Sequence, residues 1–159
     1  IPFVLLLLLG AKPTELGLGG GNKVWQSCLI WLALPVVIWA GLLVMGSLAP
    51  QTLARRLIGN FFQNGFFEEF HFRGAMLTRL RQLLTWPAAL TLQAILFGLW
   101  HLRANTQSMG GNILAGLALC LVSQTITGLF YGYVFQRTRN LITPSVAHVA
   151  MNVLGQTFG

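Results

Sequence analysis

The chain has 159 residues, 55% of them hydrophobic and 8% charged, with ten Lys and Arg against three acidic side chains and a net charge of +7. A mean hydropathy of +0.68, with apolar runs near the ~20 residues that cross ~30 Å of hydrocarbon, excludes an ordinary soluble domain. The basic residues lie mostly between apolar runs, as in the cytoplasmic loops of membrane proteins, so they do not form a nucleic-acid-binding face and no nucleic-acid partner is expected.

This composition predicts an all-α, polytopic transmembrane helical bundle of about five to six membrane segments, forming one membrane-embedded domain over residues 1–159. The chain opens inside an apolar run, residues 3–9, without an initiating Met, which reads as a truncated first helix and an N-terminally incomplete domain. With no basic flank before it and no small-residue cleavage site after it, the run does not read as a signal peptide. Residues 11–23, with Pro13 and Gly17, Gly19, Gly20 and Gly21, read as an irregular loop. A second span covers about 25–48, closed by Ala49-Pro50; Trp25, Trp31 and Trp39 leave room for an aromatic belt, and Pro35 for a kink. Beyond Arg55 and Arg56, the least lipid-like segment, residues 60–84, holds Glu68 and Glu69 and ends in Arg79 and Arg81. A third clear span, 86–102, has Pro87 in its first turn, where a missing N–H costs nothing, and His101 near its end. A fourth covers 111–135, with Gly111, Gly116, Gly128 and Gly132 for close helix contacts. A short basic loop, 136–140, leads to the last segment, 141–159, which starts with Thr143-Pro144 and carries His148 and Asn152. Cys28 and Cys120, in apolar segments without metal-like spacing, read as small core residues. Two spans separate Arg79 and Arg81 from Arg137 and Arg139, so these share a side, which the Lys/Arg bias makes cytoplasmic. Arg55 and Arg56 join that side only if the segment before Glu68 dips in and returns. The expected location is integral and multi-pass, in a bacterial-type inner membrane or its equivalent.

In a chain nearly free of carboxylates, Glu68 and Glu69 stand together in an apolar segment, and such a pair marks a functional site by default. Arg73 stands four residues after Glu69, on the same helix face, and taken alone this reads as an ordinary intrahelical ion pair. Glu68 points about 100° away and has Phe72 at i+4. An unpaired carboxylate among Phe66, Phe67, Phe70 and Phe72 suits a group that accepts a proton from a reacting species. Taken singly, His101 and His148 read as hydrogen-bonded structural residues, and Asn152, one turn after His148, as interhelical glue. Together they put polar groups on three separate apolar segments, which are expected to converge. His71 lies on another face and belongs at most to the surroundings of the site.

The fragments Glu68-Glu69-Phe-His-Phe-Arg73, Phe97-Gly-Leu-Trp-His101 and His148-Val-Ala-Met-Asn152 resemble, intact and in order, the three motifs of the CPBP intramembrane proteases, also called the CAAX prenyl protease or Abi family. The resemblance covers roughly Ser47 to the end. It implies an intramembrane endopeptidase in which Glu68 and His101 hold and deprotonate a water. His148 and Asn152 then stabilise the oxyanion, and Glu69 and Arg73 orient the site through their ion pair. It also implies partners in the bilayer: membrane lipid, and peptide or membrane-protein substrates, lipidated ones among them. The residues themselves offer no Ser or Cys nucleophile with an obvious base, which disfavours a covalent mechanism.

No cofactor is favoured. The competing mechanism is a zinc ion held by Glu68, His101 and His148 with water at an open position. Against it stand the missing His-Glu-x-x-His arrangement and an Asn placed like an oxyanion donor. A different class of function also fits: a non-proteolytic membrane subunit, assembly or immunity factor that binds a membrane-protein partner and keeps the polar site as glue. Whether Glu68 faces an open cavity or is capped by another chain discriminates the two. A proton-coupled transporter would use the same residue types, but no inverted repeat or broken-helix pair is visible. One geometric tension remains, since His101 lies about 21 Å along its helix from Pro87 whereas His148 lies only about 6 Å from Pro144, on helices starting from one side. Bringing the two together requires a tilt, a kink or a re-entrant segment.

Overall fold

The computed structural model describes residues 6–8 and 10–158, and among them the chain forms helices and turns without a strand. The expected first helix falls mostly on residues outside those described. The first long helix, α1, is Val24–Val44. It is apolar on every face and packs on the last helix, turning Cys28, Pro35 and Trp39 inward. Pro50 then starts a helical run, α2, that continues without a break over residues 50–83. Two of its stretches, Phe61–Gly65 and Phe70–Leu77, are wound as π-helix, on either side of the α-helical turn Phe66–Glu69. Helix α3 is Trp86–Trp100, ending where His101 leaves helical geometry. A short α4, Leu102–Ser108, follows in a stretch for which no helix was expected. Gly110 and Gly111, at φ +64° and +89°, turn it into α5, Ile113–Thr138, with one π stretch at Cys120–Gln124. Helix α6 is Ile142–Phe158. Two of these helices, α1 and α5, are long and apolar enough to cross a membrane, and α3 is a shorter apolar one.

The ends of the helices sort the charges. Arg81, at the end of α2, donates to Gln136 Oε1 near the end of α5 at 2.7 Å, so the pairs Arg79/Arg81 and Arg137/Arg139 lie at one end of the bundle, as the count of spans predicts. Asn60, near the start of α2, donates to Gln156 Oε1 near the end of α6 at 3.1 Å. Because α2 runs through without doubling back, Arg55 and Arg56 lie at the opposite end, and the dip that would have returned them does not occur.

The depth mismatch between the two histidines is resolved by a recessed helix. Leu141, immediately before α6, is buried against Leu16 and Phe135, and lies 3.3 Å from where a side chain on Gly74 would begin. Gly74 is nine residues from the end of α2, so α6 starts roughly 13 Å inside that end. Six residues of α6 add ~9 Å and bring His148 level with Glu68 and His101, each about 22 Å along its own helix from the same end. The space beneath α6 is filled by residues 11–23, with Leu16 fully buried. Backbone bonds from Leu141 N to Gly17 O (2.9 Å) and from Asn22 N to Thr138 O (2.6 Å) fix this plug, and the Asn140 amide donates to the carbonyl of Gly19. The expected irregular loop is thus a structural part of the core.

Candidate active site

Close helix contact makes the site possible. A side chain on Gly65 would begin 2.5 Å from Val149 Cγ2, and one on Gly98 would begin 2.4 Å from Thr125 Oγ1. Any larger residue at either position would push α2 from α6 or α3 from α5. The π stretches around Phe66–Glu69 widen the helix on both sides of the acidic pair, a distortion that recurs at functional sites.

The two carboxylates have different surroundings. Glu69 is fully buried, and its Oε1 accepts from Arg73 Nη1 at 3.0 Å and faces His148 Nδ1 at 2.9 Å. Arg73, also fully buried, donates its Nη2 to the Gly128 carbonyl at 3.3 Å. Its guanidinium lies 4.3 Å from the centre of the Phe97 ring and 5.5 Å from that of Tyr131, so a charge with little access to water is covered by aromatic faces. Glu68 Oε2 is buried and without a hydrogen-bond partner among the described residues. It stands 3.7 Å from His101 Nε2 and 3.9 Å from His148 Nε2, beyond direct hydrogen bonds and at separations that a bridging water suits.

The tautomers follow from the partners. The break at His101 leaves the Phe97 carbonyl without its usual amide, and His101 Nδ1 lies 2.9 Å from that oxygen, which can only accept. His101 therefore carries a proton on Nδ1, and its Nε2 faces Glu68. His148 Nδ1 likewise donates to Glu69. Its ring is fixed on the other side by Tyr131, stacked at 4.9 Å and 23°, and by the edge of Phe97 at 6.2 Å. Tyr131 was not among the residues expected from sequence. A Tyr in a Gly-rich apolar helix carries no signal until α5 is packed against α6.

Glu68 borders two cavities. One, of about 440 Å³, is polar and is lined among others by Glu68, His101, Tyr131, His148 and Asn152, with Gln124 opposite. The other, of about 510 Å³, is apolar and is walled by Phe67, Phe72, Met76, Leu96 and Trp100, with His71 at its side. Of the six site residues read from the sequence, Glu68, His101, His148 and Asn152 face the polar cavity, while Glu69 and Arg73 lie behind His148. The Asn152 side chain is half-buried and makes no hydrogen bond to a described residue. His71 stays outside the cluster, its Nδ1 on the Phe67 carbonyl at 2.7 Å.

The family model described as "Type II CAAX prenyl endopeptidase Rce1-like" matches residues 50–154, a stretch that contains every residue of the site. No curated protein and no solved structure matches the chain.

Proposed function

Because the chain belongs to the Rce1-like type II CAAX prenyl endopeptidase family, a family of integral membrane proteases, we propose that it is a multi-pass intramembrane endopeptidase that hydrolyses peptide bonds with water activated by Glu68. The observation that carries this reading is the convergence of Glu68 Oε2, His101 Nε2 and His148 Nε2 on one open cavity. A water held by Glu68 and His101 gives its proton to Glu68 as its oxygen attacks the substrate carbonyl carbon. The resulting oxyanion is met by the Asn152 amide and by His148. With Nδ1–H committed to Glu69, His148 donates from Nε2 only as the imidazolium, and Glu69 is the counter-charge for that form. As the tetrahedral intermediate collapses, the C–N bond breaks and Glu68 returns the proton to the leaving amine. The peptide would occupy the polar cavity, and the apolar cavity across Glu68 suits a hydrocarbon chain on a lipidated substrate. Two open cavities beside Glu68 support an enzyme over a partner-binding subunit whose polar site is glue.

Zinc is the second reading, and Glu68 Oε2, His101 Nε2 and His148 Nε2 are the atoms that would hold it. Atoms sharing a tetrahedral zinc shell stand roughly 3.4 Å apart, against 3.7 and 3.9 Å here. The present spacing is a few tenths of an ångström wider than that shell, and among the described residues no group of three His, Cys, Asp or Glu is arranged to hold a metal. What favours the metal-free reading is Asn152, which lines the same cavity as His148 and suits an oxyanion donor better than a metal ligand.

The test is cleavage of a fluorogenic membrane-peptide library by the purified protein beside Glu68→Ala and His101→Ala, each with and without a strong chelator. The metal-free reading expects cleavage that both substitutions abolish and the chelator leaves intact. Chelator-sensitive cleavage transfers the site to zinc, and silence from a folded wild type transfers the function to partner binding.

A further inference from the structure

Far from Glu68, at the end of the bundle that carries Arg81 and Arg137, lies a cavity of about 860 Å³. It shares no lining residue with either cavity beside the acidic pair. Lys23 and Arg137 supply two cations, Asn22 and Ser27 polar groups, and Trp86 and Tyr133 aromatic walls. We propose that this pocket holds the phosphate headgroup of an anionic membrane lipid.

The cations of this pocket have no protein counter-charge among the described residues. The sequence has three carboxylates. Glu68 and Glu69 are in the active site, and Glu15 accepts from the backbone of Lys12 at 3.2 Å. No acidic residue lines the pocket, and neither Lys23 nor Arg137 has a carboxylate partner among the described residues. Two cations in a concave site without a protein anion suit a ligand anion. The nearby Arg81 is already engaged, by Gln136 and by the Trp86 ring at 5.2 Å, and the Arg137 guanidinium lies 5.9 Å from the Tyr133 ring.

The pocket is also a built one. Gly21 has φ +67°, and a side chain there would begin 2.5 Å from Asn140 Cβ and 2.6 Å from the Thr138 carbonyl, so only glycine lets the plug close this wall. Lys23 follows at φ 48°, in the left-handed region where glycine is easier than lysine.

A lipid fits the site better than a free phosphate. The pocket opens along Ile30, which is 72% exposed on a helix whose neighbouring Leu34 and Val37 are also exposed. Acyl chains would lie along that apolar face, with the headgroup at its end beside Trp86 and Tyr133, aromatics of the kind found at membrane interfaces. This inference rests on membrane residence and not on proteolysis.

The test is native mass spectrometry of the whole purified protein in detergent with added phosphatidylglycerol or phosphatidylcholine. The expected result is one retained phosphatidylglycerol, favoured roughly 10- to 30-fold, as two cations at a membrane surface would give. Lys23→Gly with Arg137→Gln should abolish the preference, and the glycine relaxes the backbone, so loss cannot be blamed on misfolding. Lys23→Arg with Arg137→Lys should keep it, as should Arg55→Gln with Arg56→Gln at the opposite end. Equal retention of both lipids by the wild type, or equal loss in the Arg55/Arg56 variant, overturns the site. Displacement by inorganic phosphate alone overturns the lipid assignment.

Discussion

Glu69 and His148, 79 positions apart, share a 2.9 Å hydrogen bond on the same carboxylate oxygen that accepts from Arg73 at 3.0 Å. One buried oxygen thereby aims the imidazole and neutralises the guanidinium. Glu69→Gln keeps the shape and leaves Arg73 buried without its counter-charge, which costs about 3 kcal/mol when a buried pair is broken. Thermal unfolding in detergent should fall by several degrees and peptide cleavage with it.

Glu68→Gln should behave in the opposite way. Its Oε2 has no hydrogen-bond partner among the described residues, so loss of the charge costs no stabilising contact, and the unfolding temperature should hold or rise. Cleavage should fall by about 10²- to 10⁴-fold, the usual contribution of a general base. A stability loss as large as that of Glu69→Gln would contradict the assignment of separate tasks to the two neighbours.

The ring of Tyr131, parallel to His148 at 4.9 Å, acts on the site by holding that imidazole. Tyr131→Phe retains the stacked face and should keep turnover within about threefold. Tyr131→Leu removes it and should lower kcat by about tenfold or more with little change in KM, since a misaimed group loses far more than its contact energy. Equal loss in both variants would instead point to the hydroxyl.

Gln93 is fully buried, and neither atom of its amide has a partner among the described residues. Replacing such a group by an apolar one of similar volume removes a desolvation cost. Gln93→Leu should raise stability by about 1–2 kcal/mol, read as a higher unfolding temperature, without changing turnover.

Much of this arrangement was legible in the sequence, for identifiable reasons. Carboxylates are so rare here that Glu68 and Glu69 stood out by scarcity, and the four-residue spacings of Arg73 and Asn152 are intrinsic to a helix. Helix ends came within a few residues where Pro87 and the Gly110-Gly111 turn mark them, but the acidic helix starts at Pro50 and not near residue 60, because the polar stretch around Arg55 and Arg56 hides a turn-free continuation. Features that depend on packing could not be read. The π turns around Phe66–Glu69 leave no composition signature, α4 is too short and polar to show a period, and Tyr131 gains its role only from the helix opposite. The mismatch in depth between His101 and His148 was visible as arithmetic, but its answer, a recessed α6 over a plug of residues 11–23, was hidden in a Gly-rich stretch that looked like surface loop.

The seat of Leu16 beneath α6 separates the evolutionary unit from the folding unit. The family match starts at residue 50, yet Leu16 is fully buried in a core with Phe70, Leu77, Phe135 and Leu141, and Trp39 and Leu48 share a core with Val149, Ala150 and Val153. A fragment trimmed to the matched boundaries would keep every polar residue of the site but lose the floor that sets the height of His148. An expression boundary should therefore be drawn ahead of residue 11, where the chain that carries no chemistry decides whether the chemistry can meet.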